Sequence, residues 1–100
     1  KEAAATADWN KSAFGEILTN QSGKDAWPIT GATFILMHKV QDKPAQAAEV
    51  LKFFDWSFRN GGKMADELDY VALPESLQKL IRTAWSQLKD ASGKPVYPAK

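Results

Sequence analysis

Apolar and polar residues alternate along this chain with two different periods. In "KPAQAAEVLKFFDWSFRNGG", Ala47, Val50, Leu51, Phe54 and Phe58 recur at i, i+3, i+4, i+7 and i+11. That spacing is one face of an α-helix. Phe53 and Trp56 widen the stripe beyond that of an ordinary surface helix. Pro44 suits the first helical position, and Asn60-Gly61-Gly62 is a stop signal. A second helical stripe, Leu77, Leu80, Ile81, Ala84, Trp85 and Leu88, runs through "LPESLQKLIRTAWSQLKD", opened by Pro74 and followed by Gly93. "KMADELDY" between them predicts a short helix or a pair of turns. "TADWNKSAFGEILTN" predicts another short helix, capped by Asp8, with Phe14, Ile17 and Leu18 on one face and Asn20 at its end. "QSGKDAW" is a loop by composition, and the tail "SGKPVYPAK" is irregular.

The stretch "ITGATFILMHK" breaks the helical rhythm. Phe34, Ile35, Leu36 and Met37 are continuous, and Pro28 precedes them. A short continuous apolar run of this kind predicts a strand over Ile29 to Met37, covered on both faces. No other run has comparable strand character; Val96 and Tyr97 offer only a short extension. A lone strand leaves backbone N–H and C=O groups without partners. Two arrangements satisfy them: the chain is a piece of a larger α/β protein, or it self-associates through the strand. A strand followed by a helix is half a βαβ unit, which favours the first.

Composition narrows the function classes. The chain has 100 residues, 44% hydrophobic and 25% charged, with a formal net charge of +1. That is one domain at most, of ordinary globular composition. Lys and Arg are scattered among Asp and Glu, so there is no basic footprint for nucleic acid. Cysteine is absent, which excludes thiol catalysis, disulfides and cysteine-ligated metals. No apolar stretch approaches the roughly 18 residues of a membrane-spanning helix. "KEAAATADWNKS" lacks the apolar centre of an export signal.

The residues with chemical potential have ordinary readings. His38 is the only histidine and has no cysteine to join it, so it is a poor metal or triad candidate. Ser22-Gly23-Lys24 and Ser92-Gly93-Lys94 lack the earlier glycine and the following hydroxyl of a phosphate loop; both are turns. Asp66, Glu67 and Asp69 sit on a short polar segment and read as a solvated face. Trp9, Trp27, Trp56 and Trp85 could suggest a sugar platform, but Trp56 and Trp85 lie on apolar helix stripes and read as core; Trp27 is less constrained. No nucleophile–base pair, metal set or cofactor loop supports an enzyme.

Several stretches carry a family resemblance: "ADW" at 7–9, "AWPIT" at 26–30, "TFIL" at 33–36, "EVLKFFDW" at 49–56, "LDY" at 68–70, "LP" at 73–74 and "SGKP" at 92–95. In order and spacing they resemble the C-terminal part of the periplasmic phosphate-binding protein of bacterial high-affinity phosphate ABC transporters. The resemblance implies an α/β fold, the C-terminal segment of a two-lobed periplasmic binding protein, mostly helical with one main strand in this fragment. It implies that residues 1–25 end the second lobe. Residues 26–100, the C-terminal strand and helices, would complete the first lobe, with partner strands for Ile29 to Met37 in the N-terminal part of the parent protein.

The implied function is binding of inorganic phosphate in the periplasm and delivery to an ABC permease, without catalysis or cofactor. The family's anion-holding loops are not in this chain, so no phosphate-binding residue is expected here. Thr30 and Thr33, at the crossing between lobes, are the candidates that could face the cleft. The alternatives are the same fold binding another oxyanion, and an autonomous helical interaction module pairing through its strand.

Overall fold

The computed structural model describes residues 1–10 and 15–97. The chain divides into two compact units, Lys1–Ile35 and Leu36–Lys100.

The first unit holds little regular structure. Its helix, α1 (Glu2–Thr6), starts on an acidic residue, which suits a helix N-terminus, and continues through alanines, the best helix formers. Ala3 and Ala4 are buried. Trp9 is buried as well; its indole Nε1 donates to Ala4 O at 2.6 Å, and its ring lies 6.4 Å from that of Phe34. Asn20 takes a left-handed φ of 52° and donates its N–H to Pro28 O at 3.2 Å, closing the 20–28 loop. The Glu2 carboxylate accepts the Asp25 N–H at 3.0 Å.

Two expectations are corrected here. The helix predicted from Asp8 to Asn20 is absent at residues 15–20, and the helix forms earlier, on the alanine run. Gly15 disfavours a helix, and Asn20 is in the left-handed region. Phe14, on the predicted face, lies outside the described residues. The strand predicted over Ile29 to Met37 is likewise absent. Ile29 is 86% exposed and Leu36 94%. A ladder needs a second strand, and these residues pair with none among the described residues.

The second unit is helical. Its strands are β1 (Val40–Gln41) and β2 (Lys89–Asp90), paired in parallel with Val40 opposite Lys89 and Gln41 opposite Asp90. Between them run α2 (Pro44–Asn60), α3 (Gly62–Glu67) and α4 (Glu75–Trp85). Parallel strands require such a crossover. Pro44 opens α2 as predicted.

At the other end of α2 the Gly61 N–H donates to Ser57 O at 2.8 Å. A Cβ on Gly61 would lie 2.7 Å from that oxygen, so glycine lets α3 restart at once. The left-handed Asp69 (φ 61°) follows the end of α3. Pro74 stands at the start of α4, as the sequence predicts.

The α4 helix is shorter than its apolar stripe suggests. It ends at Trp85, where the Ser86 hydroxyl donates to Thr83 O at 2.5 Å. The chain must leave the helix there to pair its backbone, because Lys89 N–H donates to Lys39 O at 2.8 Å. The tail then folds back. Gly93, with φ 82°, allows a turn in which the Asp90 carboxylate accepts the N–H groups of Ser92 and Lys94 and the Ser92 hydroxyl.

Ala47, Leu51, Leu77 and Trp85 form the buried centre of this unit. Phe54 is half-buried. Trp56, predicted as core, is 53% exposed and Phe53 is 62% exposed. Both project from the side of α2 that α4 leaves uncovered.

Candidate functional site

Among the described residues the buried charged side chain is Asp55, on α2. It sits on the apolar stripe, four residues after Leu51 and three before Phe58. Its Oδ1 accepts from Arg82 Nε on α4 at 2.7 Å. Its Oδ2 accepts from Arg59 Nε, one turn on, at 3.0 Å, and from the Tyr97 hydroxyl at 3.3 Å. Aromatic rings enclose this cluster. Phe58 stacks on Trp85 at 5.8 Å with a 4° interplanar angle. Tyr97 meets Trp85 edge-on at 5.8 Å. The Arg82 guanidinium lies 5.8 Å from the Phe58 ring centre, within cation–π range.

The electrostatics follow from this geometry. Burial pushes the Asp55 carboxyl up, but hydrogen bonds from Arg82 and Arg59, with their charges, outweigh it and hold the group below the usual carboxylate range. Burial and the adjacent Asp55 charge push the Tyr97 hydroxyl up. The carboxylate is therefore ionised, with three donors on it. It shares its single negative charge between the two guanidiniums. What the cluster does chemically is clamp α2, α4 and the tail together.

This cluster was legible in part. An aspartate in the middle of "LKFFDWSF", with an arginine four residues on, is a charged residue on a buried face and needs a partner. Its partner on α4, Arg82, is flanked by Ile81 and Trp85 on the second stripe, but sequence alone could not pair the two helices.

An open cavity of about 280 Å³ in the same unit is lined by Ser57, Phe58, Gly61, Ala72, Leu73 and Gln78, among others. Its polar side chains are engaged. The Ser57 hydroxyl donates to Phe53 O at 2.9 Å, and the Gln78 amide donates to Leu73 O at 2.9 Å. No cation lines it.

The residues singled out in the sequence are scattered. Thr30 is half-buried and its hydroxyl donates to Trp27 O at 3.1 Å. Thr33 is exposed. Both lie in the first unit. His38, Asp66, Glu67 and Asp69 are exposed, and Glu67 reaches Lys63 only at 3.9 Å. Trp27 is 76% exposed. Among the described residues no three His, Asp or Glu side chains could hold a metal ion, and no helix is long and apolar enough to cross a membrane.

A helical crossover joining a parallel strand pair fits a mostly helical piece of an α/β binding protein. Comparison with known proteins identifies which. No protein-family model matches the chain. It is 44% identical over 97 residues to the phosphate-binding protein PstS of Pasteurella multocida, covering 95% of this chain and 28% of that protein. It is 46% identical over 84 residues to PstS of Haemophilus influenzae, covering 83% of this chain and 25% of the relative. For PstS of Xylella fastidiosa strain 9a5c the identity is 49% over 85 residues, with 84% and 23% covered. The chain belongs to the PstS family of phosphate-binding proteins and corresponds to its C-terminal part. It spans about a quarter of the length of these relatives.

Proposed function

We propose that the full-length protein binds inorganic phosphate in the periplasm and delivers it to the permease of an ABC transporter, and that residues 1–100 are scaffold rather than ligand. The observation that carries this reading is the identity of 44–49% with proteins named phosphate-binding protein PstS, across most of this chain. In this reading residues 1–25 end the second lobe and residues 26–100 complete the first. The protein does no catalysis. Anion contacts from both lobes favour a closed form over an open one, and the crossing segments absorb the backbone change.

The phosphate ligands lie outside this chain. The engaged Ser57 and Gln78 side chains support that placement, since both already donate to backbone carbonyls. Thr30 and Thr33 remain the residues to exclude. Titration calorimetry of phosphate into the full-length protein and its Thr30→Val/Thr33→Val variant tests both halves of the proposal. The wild type binds phosphate, and the variant binds it within a few-fold. A hydrogen bond to a charged group contributes about 1.5–3 kcal/mol. A loss of roughly tenfold or more in the variant would therefore assign a ligand to these threonines. No phosphate binding by the wild type would refute the function.

A further inference from the structure

Of the asparagines in this chain, Asn10, Asn20 and Asn60, only Asn60 precedes a glycine. An Asn-Gly peptide has a chemistry of its own. The glycine nitrogen, with no side chain beside it to hinder approach, attacks the asparagine Cγ. A bond forms between that nitrogen and Cγ, the Cγ–Nδ2 bond breaks, and ammonia leaves with the proton that the nitrogen gave up. Water then opens the cyclic imide at one carbonyl or the other, leaving aspartate or isoaspartate. No oxidant and no enzyme is needed.

The fold favours this pair and blocks its reaction. Glycine suits position 61 because a Cβ there would lie 2.7 Å from Ser57 O. The Gly61 N–H, whose nitrogen is the nucleophile, is already donated to Ser57 O at 2.8 Å. The Asn60 amide donates to Trp56 O at 3.0 Å, back along the helix and away from Gly61. Asn60 is also the last residue of α2, and ring closure requires rotation about its Cα–C bond out of the helical range. The block is shallow, however. Asn60 is exposed, and the last turn of a helix frays.

We propose that Asn60–Gly61 is a deamidation site gated by the end of α2. It is unreactive while the Gly61–Ser57 hydrogen bond is closed, and it reacts when that last turn opens, with the rest of the helix intact. The product keeps the junction open. Aspartate puts negative charge at a helix C-terminus, where the macrodipole disfavours it, and removes the donor to Trp56 O. Isoaspartate adds a main-chain atom before Gly61. That shifts the Gly61 N–H away from Ser57 O, and with it the Gly61 carbonyl, which accepts the Ala65 N–H at 2.9 Å at the start of α3. The modification is a one-way record of opening between α2 and α3.

Two reactions of the same nitrogen test this. The full-length protein is incubated in mildly alkaline buffer, with and without unfolding concentrations of urea, and aspartate and isoaspartate at position 60 are followed by peptide mapping. Amide hydrogen exchange is measured on the folded sample. Both reactions need a free Gly61 nitrogen, so one opening slows both by the same factor. Deamidation is expected to be at least about tenfold slower in buffer than in urea. That slowing should equal the protection of the Gly61 amide and fall below the protection of the Leu51 amide in the middle of α2. Equal rates in buffer and urea would overturn the proposal, because the hydrogen bond would then gate nothing. Slowing that matches Leu51 would also overturn it, by assigning the reaction to unfolding of the whole helix. Asn60→Asp, which fixes one product, should speed exchange of the Gly61 amide; unchanged exchange would refute the claim that the product keeps the junction open.

Discussion

Residues 1–35 and residues 36–100 both carry runs of large apolar side chains, and they dispose of them differently. In the second unit Leu51, Leu77 and Trp85 are buried on helices whose backbone groups pair within each helix. In the first, Ile29 and Ile35 are 86% and 62% exposed, and the backbone around them makes no ladder. The difference follows from where hydrogen bonds close. A helix satisfies its N–H and C=O groups one turn away, so it needs a neighbour only for its side chains. A strand needs another strand for its backbone before its side chains can be covered. A quarter of a protein can therefore keep its helices and leave its longest strand-like segment unformed.

The sharpest test of the self-contained unit is at its centre. Trp85→Ala in the full-length protein should cost about 3–5 kcal/mol, the range for truncating a buried aromatic residue. Urea denaturation measures it, and a loss below about 1 kcal/mol would mean that the Phe58–Trp85–Tyr97 stack does not hold α2 to α4.

Asp55→Asn should come next, at about 3 kcal/mol, because it leaves the part-buried Arg82 without its counter-charge. The penalty should also depend on pH. Asp55 is held below its ordinary value of about 3.9 in the folded protein. A lowered folded-state pKa gives stability that is present above the unfolded pKa and is lost as pH falls through the folded one. The stability gap between wild type and Asp55→Asn should thus be constant from pH 7 to about pH 5 and shrink below about pH 4. A gap that is flat into strong acid would show that the Asp55 charge is not what the arginines recognise.

The comparison is broken most simply at Ile35. If the segment pairs with strands of the full-length protein, Ile35→Ala should cost about 2 kcal/mol or more there. In the isolated chain, where Ile35 is exposed, it should change stability by no more than about 0.5 kcal/mol. Equal effects in the two contexts would remove the distinction between the units. The smallest effect should come from Arg59→Ala. Its side chain is 56% exposed, and an exposed ion pair contributes at most about 1 kcal/mol.

What could be read in advance divides along the same line. The starts of α2 and α4 at Pro44 and Pro74, and the stop of α2 ahead of Gly61, were legible because proline and glycine act locally. The end of α4 at Trp85 was not. It is set by the backbone pairing of Lys89–Asp90 with Val40–Gln41, far away in sequence. The continuous apolar run of Ile29 to Met37 was read as a strand and forms none here, because such a run says nothing about whether a partner strand is present. The exposure of this segment removes the orphan strand as support for a larger parent protein, and the PstS relatives supply that support instead. Trp56 was assigned to the core from its stripe alone, and the exposed half of that stripe became visible only once α4 was in place. The Asp55 clamp was missed because its four side chains come from residues 55, 59, 82 and 97. The expectation of no ligand in this chain rested on missing motifs and stands as a proposal.

Hydrogen exchange resolved by residue, run on the full-length protein and on the isolated 100-residue chain, tests most directly whether residues 29–37 are a strand waiting for the rest of the protein. Amides within α2 and α4 should be protected in both samples, because their hydrogen bonds close locally. Amides of residues 29–37 should exchange freely in the isolated chain and be strongly protected in the full-length protein. Free exchange of residues 29–37 in the full-length protein, or protection of them in the isolated chain at monomeric concentrations, would contradict the account.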